Sequence, residues 1–198
     1  MRLEPLERAH ALELWPAADE EGLWAYMTFD VRSRHELARW VAARVQAGEA
    51  GTALPFLERD ASTRAAIGST SIFDIDREHG TMEIGHTWLA RSHRRTAVNT
   101  EAKLMLLGHC FGALGARRVQ FKTDARNERS RLALARIGAV FEGVLRKQRV
   151  NPDGHVRDAA VFSILDDEWP AVRDHLDGLL RTARSGDPTR QRAGQQTS

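Results

Sequence analysis

The sequence predicts an α/β domain: one central sheet of mixed direction, about seven strands, with helices packed against it. Two-residue alternation of polar and apolar side chains marks the strands, and three- to four-residue spacing marks the helices. Between Glu83 and Ser130 a strand, a basic turn, a long helix, a second strand and an Asn-x-x-Ser turn follow without interruption. Strands and helices alternate after an initial meander, and the turn Asn151-Pro152-Asp153-Gly154 returns the last strand antiparallel to its neighbour.

In chain order, Arg2 to Leu6 alternates as a short first strand, and a helix follows near Glu7 to Ala18. Ser33 with Glu36 three residues on forms a capping box, opening a helix that runs to Ala47 on an apolar face of Leu37, Trp40, Val41 and Val45. Ala53 to Glu58 and Ala66 to Asp74 read as strands joined by the charged turn Arg59 to Arg64, and Gly80 begins a fourth strand ending at Leu89. The long helix carries Val98, Ala102, Met105, Leu106, Cys110 and Ala113 at helical spacing until Gly115 stops it. Ala116 to Lys122 is the fifth strand, Arg126 to Ile137 a short helix, and Val140 to Val150 and Val156 to Leu165 the closing hairpin. Asp166-Asp167-Glu168-Trp169-Pro170 opens the last helix, with acids placed favourably at its positive end.

Composition bounds the class. With 198 residues, 42% hydrophobic and 28% charged, the chain suffices for a single domain with a sizeable core, assigned to residues 1–181. Its net charge of +2 is a property of the end: Arg181, Arg184, Arg190 and Arg192 against Asp187 leave the preceding 180 residues slightly acidic. Residues 182–198 carry too few large apolar side chains to offset their ordering entropy and read as a disordered basic tail. A nearly neutral body argues against nucleic acid as a partner. The single cysteine excludes an internal disulfide, and no apolar run has the length of a membrane span, so a cytoplasmic location without membrane association is expected.

The basic turn Arg91 to Thr96 at the head of the long helix presents free backbone N–H groups and the positive end of the helix dipole, a natural seat for phosphate. Arg94-Arg95-Thr96-Ala97-Val98-Asn99-Thr100 resembles the acetyl-CoA pyrophosphate loop of the GNAT N-acetyltransferases, and Glu83-Ile84-Gly85, Asn127-x-x-Ser130, Ile137-Gly138-Ala139 and Glu142-Gly143-x-Leu145-Arg146 fall in the order usual for the RimJ/RimL-like branch. Ala97 stands where that family usually has glycine, and Asn99 at the next small-residue position. The resemblance implies a sheet splayed between its fourth and fifth strands, with the pantetheine arm in the gap. It implies acetyl-CoA as co-substrate and a primary amine as acceptor, either a polypeptide N-terminus or an aminoacyl or small-molecule amine. A non-catalytic acetyl-CoA-binding sensor is the alternative. The exposed final hairpin and the aromatic segment make a homodimer reasonable.

Acetyl transfer from a thioester needs a deprotonated amine and a proton for the departing thiolate. Glu83, upstream of the cradle, is the expected general base, directly or through water; the alternative is a glutamate on the solvated side of the sheet. Ser130 is the expected proton donor to sulfur, and Asn127 is expected to hold an amide of the pantetheine arm or to cap the following helix. Trp88 and Leu89 end the fourth strand, where the family's backbone pairs with pantetheine; Arg94, Arg95, Thr96, Ala97, Val98, Asn99 and Thr100 make the pyrophosphate cradle. Trp24, Tyr26 and Met27, with Phe73 and His86, are assigned to the acceptor. In a regular strand His86 falls on the face opposite Glu83, so the two are not expected to act as a pair. Cys110 lies on the apolar face of its helix and reads as structural. His93 and His109 lack a carboxylate or cysteine neighbour at metal-ligand spacing, and no metal site is predicted.

Overall fold

The computed structural model describes residues 1–185. Strands Arg2–Pro5 (β1), Ala53–Arg59 (β2), Ala66–Asp76 (β3), Thr81–Leu89 (β4), Arg118–Asp124 (β5), Val140–Val150 (β6) and Val156–Leu165 (β7) form one sheet in the order β1-β2-β3-β4-β5-β7-β6. The helices are His10–Ala18 (α1), Arg34–Glu49 (α2), Val98–Gly108 (α3), Glu128–Arg136 (α4) and Trp169–Ser185 (α5). Every pairing is antiparallel except β4 with β5. That parallel pair is in register only at Thr81, Met82 and Glu83, so β4 and β5 part beyond Glu83 and open the sheet.

Phe56 and Leu57 are neighbours on β2 and enter different apolar clusters, which places one core on each face of the sheet. One face packs Ile72, Ile84, Val119 and Ile164 against Leu106 and Leu107 of α3 and Leu176 of α5. The other packs Leu57 and Trp88 against Leu14 of α1 and Leu37 and Val41 of α2. Each fully buried Leu or Ile contributes about 1.5–3 kcal/mol, and α5 owes its place to Val172, Leu176 and Leu180 at four-residue spacing.

Local chemistry sets the element ends. Ser33 Oγ accepts the Glu36 N–H at 3.2 Å, and Glu36 Oε2 accepts the Arg32 N–H at 2.7 Å, a capping box shifted one residue outward. On β3, Gly68 lies so close to β4 that a Cβ there would meet the Trp88 carbonyl oxygen at 2.2 Å, so no side chain fits at that crossing. The continuation of α3 is a π turn, His109–Ala113, closed by Gly115 at φ +65°. Two expectations change here. Thr182 to Ser185, assigned to the tail, belong to α5, and the remainder of the tail lies outside the described residues. Met105, expected on the apolar face of α3, is 39% exposed, while Lys103 is buried there.

Candidate active site

The parting of β4 and β5 opens a cleft of about 380 Å³, walled by the N-terminal ends of α3 and α4 and by residues 26 to 29. Of the predicted acceptor residues, Tyr26, Met27, Phe73 and His86 line it. Trp24 does not: it is 7% exposed, packs edge-on against Trp88 at 5.2 Å, and donates its indole N–H to the Ala18 carbonyl at 3.2 Å. The indole is core, supporting the cleft from behind. Of the cradle residues, Ala97 and Val98 do not reach the wall, while Trp88, Leu89, Arg94, Arg95, Thr96, Asn99 and Thr100 do.

At the cradle, the first bond into α3 runs from the Glu101 N–H to the Ala97 carbonyl at 2.9 Å, and no side chain caps the helix. The Val98 N–H is held weakly by Thr96 Oγ1 at 3.3 Å, and the next two N–H groups have no acceptor among the described residues. An uncapped N-terminus facing a cleft fits a pyrophosphate. Ala97 sits at φ −67°, ψ −15°, an ordinary helical conformation that does not require glycine. The two arginines differ. Arg94 is clamped by Glu20 at 2.8 and 2.9 Å and donates to the Leu89 carbonyl at 2.9 Å, so it ties the turn to the end of β4. Arg95 takes a left-handed φ of +61° and has no ion-pair partner among the described residues.

Glu83 lies 5% exposed, with its carboxylate 2.7 Å from the Lys122 ammonium and accepting the Gln120 amide at 3.2 Å. Burial pushes its carboxyl up, and the Lys122 charge holds part of that rise back. The expectation that His86 faces away is overturned. The β3–β4 register slips between Ser69/Ser71, inserting a bulge in β4, and His86 adopts φ +50°. Its ring therefore packs against that of Phe73, centroids 4.3 Å apart and planes tilted by 37°, and Phe73 is the residue paired with Glu83 across the ladder.

The His86 ring accepts or shares a hydrogen bond with Arg44 Nη1 at 3.2 Å. Burial, then the Arg44 and Arg149 guanidiniums, hold the imidazole down to about 4. An unfolded histidine takes up its proton near 6.5, and the folded ring refuses it until about 4, so stability is full above 6.5 and falls as pH drops toward 4. His86→Gln is expected to remove roughly 2 kcal/mol of the stability difference between pH 7 and pH 4.5, measured by urea denaturation at the two pH values.

A family model described as "Acetyltransferase (GNAT) domain" matches residues 1–140, more than two thirds of the chain. The chain belongs to the GNAT acetyltransferases. A Brucella melitensis GCN5-related N-acetyltransferase of known structure is 31% identical, with a TM-score of 0.82 over 89% of this chain and 80% of its own. RimJ of Mycobacterium smegmatis, solved in complex with CoA-disulfide, is 26% identical with a TM-score of 0.77 over 90% of this chain and 88% of its own. YdaF of Bacillus subtilis (strain 168), provisionally named a ribosomal N-acetyltransferase, is 30% identical over 102 residues. That match takes in 52% of this chain and 55% of YdaF, little more than half the length of that relative. These relatives place the chain in the RimJ/RimL-like branch of the GNAT family, which uses acetyl-CoA.

In this GNAT chain Asn127 caps α4: its Oδ1 accepts the Ser130 N–H at 3.1 Å, which leaves its amide N–H₂ uncommitted. Ser130 lines the cleft, and its hydroxyl has no protein partner among the described residues. Asp124 is bound by Arg126 at 2.8 Å and is 1% exposed. Cys110 is fully buried, and burial pushes its thiol up to about 12, which makes it a poor nucleophile. Among the described residues no three His, Cys, Asp or Glu side chains gather into a metal-binding group, and no helix is long and apolar enough to cross a membrane.

The sequence reading missed Lys103, Arg149 and Arg157 at the cleft and Glu58 behind it. Lys103, 4% exposed, reaches Thr87 Oγ1 at 3.2 Å, and Thr87 shares a hydrogen bond with Thr70 at 2.8 Å. Behind it lies Glu58, fully buried and without a hydrogen-bond partner among the described residues. Burial pushes the Glu58 carboxyl up and the Lys103 amine down, and their mutual attraction opposes both shifts. The signal for Lys103 was its position three, four and seven residues before Leu106, Leu107 and Cys110, on the helix's buried face. Arg149 and Arg157, brought to the wall by the closing hairpin, carried no such signal.

Proposed function

We propose that this protein transfers an acetyl group from acetyl-CoA directly to a primary amine, at a polypeptide N-terminus or on an aminoacyl or small-molecule acceptor. The observation that carries this reading is one cleft holding both an uncapped helix N-terminus and, beside the point where β4 and β5 part, a buried carboxylate. Arg95 and the N–H groups of α3 hold the pyrophosphate, and Asn127 holds an amide of the pantetheine arm. Glu83, its basicity raised by burial, takes a proton from the acceptor ammonium directly or through one water. The amine lone pair forms the C–N bond at the thioester carbonyl, and the tetrahedral intermediate collapses by breaking C–S. The Ser130 hydroxyl gives its proton to the thiolate and is reprotonated, directly or through water, by the second proton that the attacking nitrogen sheds; the products are the N-acetyl amine and CoA, and Glu83 returns its proton to solvent. The name of YdaF favours a protein amine among the acceptors.

The test is calorimetric titration with acetyl-CoA followed by thiol-release assays on amines and peptide N-termini. Micromolar binding with turnover is expected. Binding without transfer to any amine would make the protein a sensor, and absence of binding would remove the cofactor reading altogether.

A further inference from the structure

The cleft is unusual in its charge: Glu83 is the one carboxylate among its described lining residues, against eight lysines and arginines. The cations at the cradle end have phosphates to meet. Arg149 and Arg157 do not belong to that end. They stand directly opposite one another in the β6–β7 ladder, and like charges so placed repel. Arg157 is 7% exposed, and its Nε is buried without a hydrogen-bond partner among the described residues. The nearby acids, Asp124 and Glu83, attract Arg157 through space, Asp124 the more strongly, but neither makes an ion pair with it: Asp124 is held by Arg126 at 2.8 Å and Glu83 by Lys122 at 2.7 Å. Arg149 is near enough to act on the charge of both Glu83 and His86, and Arg157 on that of Glu83, so the pair sits at the acceptor end. Gln148 lines the same wall with its carbonyl oxygen unpaired, an acceptor for an amine or amide N–H. A buried cation with no ion-pair partner of its own, beside a second cation, is costly unless an anion completes the site.

We propose that the acceptor is an amine carrying its own carboxylate within a few bonds, bound by Arg157 and Arg149 while the amine faces Glu83. This rests on the acetyltransferase reading and names its substrate class. The carboxylate belongs either to a free amino acid or to an acidic side chain next to a polypeptide N-terminus. A polyamine fits neither, because its second cation would meet the arginine pair.

The test measures kcat/KM for L-glutamate and its neutral diamide, and for the peptides Ala-Glu-Ala-Ala, Ala-Gln-Ala-Ala and Ala-Lys-Ala-Ala, with spermidine as the cationic control. In parallel, calorimetry measures binding of the same probes to the protein saturated with CoA. An acidic probe is expected to exceed its neutral counterpart by about 10- to 100-fold, and which acidic probe does so separates amino acid from peptide. Arg157→Gln should bring that ratio near unity, and Arg157→Lys should retain part of it. Arg157→Met should raise the melting temperature of the free protein, since the like-charge contact with Arg149 is relieved; a fall would show a structural arginine. Equal rates and affinities for acidic, neutral and cationic probes, or a preference that survives Arg157→Gln, would overturn the proposal. If no probe is acetylated but acidic probes bind through Arg157, the substrate class stands and the acetyltransferase reading fails; if neutral amines are acetylated equally well, the reverse holds.

Discussion

Glu83→Gln is expected to lower kcat by about 10²- to 10³-fold and to leave the acetyl-CoA dissociation constant unchanged within about twofold. The substitution keeps the size and the hydrogen-bonding reach of a side chain that is 5% exposed, so packing is preserved, but an amide cannot accept the acceptor's proton. Cofactor affinity is expected to be spared because the proposed phosphate seat is the head of α3, away from Glu83. The acidic limb of the kcat/KM profile, set by protonation of a carboxyl whose pKa burial has raised, should vanish with the carboxylate. Glu83→Gln would also leave the Lys122 ammonium without its charged partner at 2.7 Å, so Lys122→Met is the needed companion variant. If Lys122→Met matches the whole loss, the role of Glu83 is to neutralise Lys122; if it costs much less, the carboxylate acts on the amine. Steady-state rates over pH for both variants, with calorimetric acetyl-CoA binding, decide this.

Lys103→Met is expected to destabilise the protein by about 3 kcal/mol or more near pH 8, because it strands a carboxylate in the core. Glu58 is fully buried with neither oxygen hydrogen-bonded, and Lys103 is the cation that opposes its rise in pKa. Without Lys103 the folded carboxyl keeps its proton to a higher pH than the unfolded one. The folded state then binds more protons from about pH 4.5 upward, and stability falls with rising pH until the folded carboxyl ionises. The penalty should therefore shrink in mild acid, where Glu58 is neutral in the fold. Adding Glu58→Leu should recover most of the loss and flatten the pH dependence, because an apolar pair of similar volume replaces a poorly solvated ionic one. Chemical denaturation at pH 5.5 and pH 8 on the two single variants and the double variant gives the coupling. A double variant as unstable as Lys103→Met would mean that the lysine acts through Thr87 and the β4 bulge instead.

Much of the site was legible along the chain because its signals are local. The strand, basic turn and helix at Met82 to Gly115 are readable from periodicity and charge, and Asn127-x-x-Ser130 is readable as a cap. Glu83, Arg95, Asn127 and Ser130 do meet in one cleft. What failed were statements about side-chain direction. Trp24 sits in an aromatic stretch whose residues divide between wall and core, and the Trp88 and Phe29 rings claim it for the core. His86 changed face because a bulge adds a residue to β4, an event that strict alternation cannot anticipate.

By itself the sequence determined the order of seven strands and five helices, since caps, turns and periodicities involve residues close along the chain, and the family was legible in motifs that are equally local. Only the tertiary structure decided which charges are neighbours. Glu58 of β2 and Lys103 of α3 come near enough to act on each other's charge, and Arg149 faces Arg157 through the hairpin register. Burial then sets the chemistry of each group, because the energy of a charge depends on the dielectric and the partners that packing leaves around it.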